Sequence, residues 1–246
     1  MRNLLLTISY KGTNYHGFQV QKNAITISEV LQGSIESILG HNIELKGCSR
    51  TDAGVHACTY CVSFKTSSAI LSTNLVKAIN VKLPHDIVAI ECVEVDNDFH
   101  ARYSCKSKEY IYKIWNEEYP NPFLFETTYH YKYDLNEAIL NEEAKDFIGT
   151  HNFKSFCNYK KSRNMDDTIR TIYDCSVKRD GGVILVKVCG NGFLYNMVRI
   201  MVGTLIFVSE GKIKKGTIPY IIQKKDRMLA GKTMPPVGLH LNKVYY

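Results

Sequence analysis

Residues 43–66 read IELKGCSRTDAGVHACTYCVSFKT. Two stretches that read as strands, IELKGCS (43–49) and TYCVSFKT (59–66), the second rich in β-branched and aromatic residues, flank a loop of small residues. The spacing predicts two successive strands with no helix between them. Upstream, Thr26-Ile27-Ser28-Glu29 is a capping-box signature. Val30, Leu31, Ile35, Ile38 and Leu39 then recur at helical spacing, and Gly40 closes the helix. LLLTISY (4–10) reads as a strand ahead of that helix. Downstream, NLVKAIN (74–80) reads as a short helix and IVAIECVEV (87–95) as a strand. The order βαββαβ is the split βαβ of ferredoxin-like domains.

The second half follows the same order with different residues. KEYIYKIWN (108–116) is a strand and LNEAILNEEAKDFIG (135–149) a helix. Residues 168–188 form a hairpin turning at Asp180-Gly181-Gly182. FLYNMVRIMVGTLIFVSEG (193–211) is a long helix, and GLHLNKVYY (238–246) the closing strand. The expected fold is therefore α+β. Two ferredoxin-like, RRM-like halves, 1–104 and 105–246, join in a pseudo-twofold, mainly antiparallel sheet platform with helices on one side. Loops at 117–134 and 150–167 are insertions on the second half. A broad sheet platform suits RNA, which is read by shape, backbone and splayed bases; fold alone does not decide function.

The chain has 246 residues, 45% of them apolar and 22% charged, as in a globular protein, and a net charge of +7. That excess fits a polyanionic partner without requiring one. No signal peptide is legible at the N-terminus, and the longest apolar run, IMVGTLIFV (200–208), is too short to span a bilayer. The eight cysteines lie mostly singly in apolar runs, which points to reduced thiols in the cytoplasm. Cys58 and Cys61 form a C-x-x-C beside His56. They fall on opposite faces of a strand with no second ligand pair, which favours core packing over zinc or redox chemistry.

Asp52 has two readings. An aspartate in a turn bonds its own backbone by default. Here, though, Ala53 and Gly54 admit close approach of a ligand, and Arg50 shares its face on an extended segment. Tyr110 and Tyr112 alternate onto one face of a strand led by Lys106 and Lys108. They are either half-buried strand tyrosines or a stacking surface for a base. Arg199 interrupts an apolar helix and needs either solvent or a partner such as Asp52. Basic runs around Lys132 and at 160–163, 212–215 and 224–227 are solvated faces, or together a track for phosphates.

Residues 47–57, GCSRTDAGVHA, carry a strong likeness to the signature R-T-D-x-G-V-H-A. On that loop, and on YHGFQVQ (15–21), FHARYSCKSKEYIYKIWN (99–116), GTHNFKSF (149–156), NGFLYNMVRIMVG (191–203) and DRMLAGKTMPPVGLHL (226–241), the chain resembles the tRNA pseudouridine synthase A (TruA) family. The resemblance implies isomerisation of neighbouring uridines in the anticodon arm of tRNA by a homodimer that binds RNA across both subunits, with no metal or organic cofactor. It implies Asp52 as the catalytic aspartate, acting at the ribose. It implies Arg50 as the arginine that helps expel the target nucleotide, Tyr110 as the tyrosine stacked on the uracil, and Arg199 as the arginine paired with the carboxylate. Phe18 stands where the family often has Trp, and Cys48 where a smaller residue is usual. His56 has no proton to transfer in this chemistry and reads as structural. The alternatives from other classes are an RNA-binding or tRNA-chaperone module without catalysis, and a redox or metal protein built on Cys58 and Cys61.

Overall fold

The computed structural model describes residues 1–158 and 167–246; the basic run at 160–163 lies outside the described residues. The chain divides into two compact units, Met1–Lys106 with His240–Tyr246, and Ser107–Leu239. The fold is α+β with mainly antiparallel pairing.

The first unit begins with β1 (Arg2–Tyr10). Leu4, Leu6 and Ile8 alternate into the core and are fully buried. In α1 (Ile27–Leu39), Ile27, Leu31 and Ile35 make the buried stripe. Thr26 Oγ1 accepts a hydrogen bond from the Glu29 N–H at 3.4 Å, and the Gly40 N–H closes the helix on Glu36 O at 2.9 Å. Then follow β2 (Lys46–Gly47), β3 (His56–Thr66), α2 (Ser72–Lys82) and β4 (Ile87–Val95). β1 lies between β4 and β3, antiparallel to both, and β2 pairs with β3. The βαββαβ order expected from the sequence is the order observed.

One expected strand is much shorter than its sequence suggests. Only Lys46 and Gly47 of 43–49 pair with β3, at Ser63 and Val62. The Ile43 N–H is instead taken by Glu36 Oε1 of α1 at 2.9 Å, so the backbone there answers to a side chain rather than to a ladder.

The second unit contains β5 (Ser107–Trp115), β6 (Tyr129–His130), α3 (Glu137–Ala144), β7 (Gly149–Asn152), β8 (Ile169–Asp180), β9 (Val183–Gly190), α4 (Met197–Ser209) and α5 (Ile218–Lys224). Its sheet runs β5-β9-β8-β7, antiparallel throughout, with β6 parallel to β5. The expected helix over 135–149 is cut short. A 3-10 turn at Lys145–Phe147 buries Phe147, Ile148 is extended, and Gly149 starts a strand against β8. The helix expected from 193 begins at Met197, because Asn196 adopts a left-handed conformation with φ 61° that no helix continues through.

The last strand, β10 (Leu239–Tyr245), does not close the half that precedes it. His240 and Leu241 pair in parallel with His56 and Ala57 of β3, and 240–246 belong to the first unit. Among the described residues no helix is long and apolar enough to cross a membrane.

Thr26 is fully buried as well as capping α1. Thr26→Ala should lower the unfolding free energy by about 1 kcal/mol. In urea the midpoint should fall with the m-value unchanged.

Candidate active site

In the first unit the loop carrying Arg50 and Asp52 is held by backbone-to-backbone packing. Gly17 has φ 85°. A Cβ there would overlap Thr51 O and reach Asp52 C at 3.1 Å and Ala53 N at 3.3 Å. A Cβ on Gly12 would likewise overlap Val55 O. The two segments are stitched by hydrogen bonds: Phe18 N–H to Thr51 O at 3.4 Å and Gly54 N–H to Tyr15 O at 3.1 Å. Tyr10 Oη and Thr51 Oγ1 bond at 2.8 Å in a buried position. Asp52 O accepts from the Val55 N–H at 3.2 Å, closing the turn. Asp52 ends half-buried and Arg50 exposed.

His56 is buried, 2% exposed, with its ring stacked on His240 at 4.7 Å. Its Nδ1 accepts from the Gly12 N–H at 3.1 Å. That fixes the ring as an anchor for the 12–18 segment, in line with a structural role. Cys58 is exposed and Cys61 buried, as expected for opposite faces, and burial pushes the Cys61 thiol up. Among the described residues there is no group of three or more His, Cys, Asp or Glu that could hold a metal.

In the second unit Tyr110 and Tyr112 do share a face of β5, and both are buried rather than half-buried, at 7% and 0% exposed. Tyr110 meets the edge of Phe193 at 5.1 Å, interplanar angle 85°. Tyr112 Oη donates to Pro235 O at 2.8 Å. Burial drives its phenol pKa far up, and the Arg199 charge pulls it back only in part. Arg199 is half-buried on α4, whose neighbouring residues Val198, Ile200 and Met201 are all buried. Its Nε donates to Met234 O at 2.6 Å, and the Met234 N–H donates back to Arg199 O at 3.2 Å. Arg199 does not simply run out to solvent. The adjacent carbonyls of Met234 and Pro235 hold Arg199 and Tyr112 in turn, which ties α4 to β5.

The sequence reading missed what holds that segment. Arg227, grouped there with surface lysines, faces inward. Its Nε donates to Asn158 Oδ1 at 3.0 Å, Nη1 to Gly231 O at 2.9 Å and Nη2 to Thr233 Oγ1 at 3.2 Å. Burial lowers its pKa. Asn158 Nδ2 in turn donates to Thr233 Oγ1 at 3.0 Å and to Asn196 Oδ1, at the start of α4, at 2.9 Å. The Gly231 N–H donates to Thr204 Oγ1 of α4 at 2.9 Å. The signal that could have found this is the single Arg among lysines just ahead of the Gly231–Met234 segment. Of the basic run at 212–215, Lys212 and Lys215 are engaged with Glu210 and Glu142 at 2.8 and 2.6 Å.

A family model described as tRNA pseudouridine synthase matches residues 6–104 and 144–246. The chain is 45% identical to tRNA pseudouridine synthase A of Thermoanaerobacter sp. (strain X514) over 246 residues, all of both chains. The same identity and full coverage hold for the enzyme of that name from Acetivibrio thermocellus. The Clostridium acetobutylicum enzyme is 42% identical over 246 residues, again with full coverage. Among solved structures, a Cbf5-Nop10-Gar1 complex aligns with 96% of this chain and 57% of that one, at TM-score 0.37 and 12% identity, a likeness too slight to bear weight.

Arg227→Ala should cost about 2 kcal/mol of unfolding free energy through its lost charged hydrogen bonds. Arg227→Lys should recover little of it, since an ammonium cannot reproduce the guanidinium fork. Chemical denaturation of the three proteins measures both.

Proposed function

The chain belongs to the tRNA pseudouridine synthase family, and on that premise we propose that it isomerises uridines in the anticodon arm of tRNA, with Asp52 as the catalytic carboxylate acting at the ribose. In the reaction the C1′–N1 bond breaks, the uracil turns, and C1′ bonds to C5. The C5 proton leaves to solvent and N1 gains one, so no atom is added and no redox partner is needed. Asp52 acts either as nucleophile at C1′ or as base at C2′.

The observation that carries this reading is the clamped loop. Asp52 is half-buried on a backbone locked by Gly17, the Tyr10–Thr51 hydrogen bond and the Gly12–His56 hydrogen bond. A carboxylate that must meet one ribose carbon needs such pre-organisation. Arg50, exposed two residues earlier, is assigned to expelling the target nucleotide, because the base must leave the stack to be reached. Tyr110 is assigned to covering the uracil face. Arg199 is assigned as counter-charge to Asp52, because a guanidinium beside a carboxylate favours its ionised form. The acting species is a cytoplasmic homodimer with tRNA across both subunits.

Tritium release from tRNA carrying 5-³H-uridine tests the central claim. Wild type should release label and Asp52→Asn none; equal release by both would remove Asp52 from its role. In the same assay Arg199→Ala should lower kcat, on the order of 10-fold or more, by removing the counter-charge assigned to Asp52. Tyr110→Ala should lower kcat/KM by about 5- to 100-fold through lost stacking. Unchanged constants for either variant would withdraw its assignment.

A further inference from the structure

A cavity of about 520 Å³ opens on the surface of the first unit beside the Asp52 loop. That volume is within the range of small-ligand sites. Its floor includes Phe18, whose ring stacks on Tyr60 at 4.3 Å. Ser49 and Arg50 form one side, Lys46 another, and the turn His100–Tyr103 the third. Three cations, Lys46, Arg50 and Arg102, face it against one carboxylate, Glu44. Glu44 pairs with Lys46 at 3.7 Å, with its own side chain 82% exposed. An ion pair that exposed is weak and exchanges readily for a phosphate. Tyr103 stands at the rim, 77% exposed, with His100 against its ring at 4.4 Å and the Arg102 guanidinium 5.8 Å from its centroid.

The Tyr103 turn is rigidly held. The Ala101 N–H donates to Ser63 Oγ of β3 at 3.0 Å, and Tyr246 Oη donates to Ala101 O at 2.8 Å. The Arg102 N–H donates to His100 Nδ1 at 3.0 Å, and the His100 N–H to Ser104 Oγ at 3.1 Å. Burial and the charges of Lys46 and Arg102 lower the His100 pKa. These hydrogen bonds present the Tyr103 ring outward at the cavity rim, 77% exposed. An aromatic face among guanidinium and ammonium groups is what an unpaired nucleotide requires: stacking for its base and cations for its phosphate.

Arg50 lines the cavity and Asp52 follows two residues later, which keeps their Cα atoms within about 7 Å. The cavity therefore lies next to the loop position assigned to the target uridine. We propose that this cavity is a second nucleotide subsite, which receives an unpaired nucleotide next to the target uridine, with its base on Tyr103 and its phosphate among Lys46, Arg50 and Arg102. The proposal rests on the reading of this protein as a tRNA-modifying enzyme and extends it beyond the target uridine itself.

The test measures equilibrium binding of an unmodified tRNA transcript, and of a fully paired RNA duplex, to the full-length Asp52→Asn protein, in which turnover does not intervene. Tyr103→Ala and Arg102→Gln are added to that background. Tyr103→Ala should weaken tRNA binding by about 5- to 100-fold. Arg102→Gln should weaken it and reduce the salt dependence by about one counterion. Neither should alter the thermal melt, since both side chains are exposed. The Tyr103→Ala loss should be confined to tRNA. Equal losses on tRNA and duplex would mean a backbone contact only and overturn the subsite, as would tRNA affinities within twofold of the parent. Tritium release by the wild-type enzyme reads the isomerase assignment separately. A Tyr103 effect without label release would leave the subsite standing and sink the reaction, and release without a Tyr103 effect would do the reverse.

Discussion

The first unit depends on one steric constraint: the 12–18 segment and the 51–55 loop touch backbone to backbone. Gly17 lies against Thr51 O and Gly12 against Val55 O, and any side chain at either position would push the strands of contact apart. Two consequences follow from that closeness. The loop's main-chain groups find partners across the gap, at Tyr15 and Phe18, rather than in water. And the loop keeps one conformation although it contains Ala53 and Gly54, which would otherwise leave it among the most mobile parts of the chain. β1 and β3 deliver the two ends of the contact, through Tyr10 and His56, so the sheet register decides where Asp52 stands.

The second unit solves a similar problem with a different device. A guanidinium on an apolar helix needs its orientation fixed, and no backbone ladder is available to do it. The Met234-Pro235 carbonyls serve instead, one holding Arg199 and the next holding Tyr112, two residues from Tyr110 on β5. The segment that offers them is itself fixed by Arg227, Asn158 and Thr204. Arg227 thus acts at one remove, through the main chain it clamps.

The amphipathic elements were legible because their period records burial directly: α1, with its Thr26 cap, and the βαββαβ order of the first half. What failed had a nonlocal cause. The strand expected over 43–49 shrinks to Lys46–Gly47, and the Ile43 N–H at its start is taken by the Glu36 carboxylate of the preceding helix. The strand at 149–152, GTHN, has no alternation to announce it and exists because β8 offers an edge. The last strand joins a partner more than 180 residues earlier in the chain, which no local pattern encodes. The candidate residues of each unit show the same division. Asp52 and Arg50 stood out by composition, and Arg199 by its charge in an apolar run. The groups that position them, Gly12, Gly17, Met234 and Arg227, look ordinary in sequence because their effect appears only once distant segments meet. Tyr103 is no plainer in sequence: Arg102 adjoins it, but its exposure and the approach of Lys46 and Arg50 to one cavity appear only in the fold.

The economy of ionisable groups at this loop follows from the reaction. A glycosidase must activate water and protonate a leaving group, which most often takes two carboxyls flanking one bond. An isomerase that returns the same base to the same sugar needs only one group at the ribose, because the leaving group is also the incoming one. Its harder task is to keep the detached uracil in place while water stays out, and that is a matter of surfaces rather than of acids. A single carboxylate on a backbone held as closely as the 51–55 loop is what such a task favours. It also explains why a neighbouring nucleotide would need a seat of its own. When one base is withdrawn from a stack, its neighbours lose their contacts, and an aromatic ring such as Tyr103 replaces the stacking they have lost.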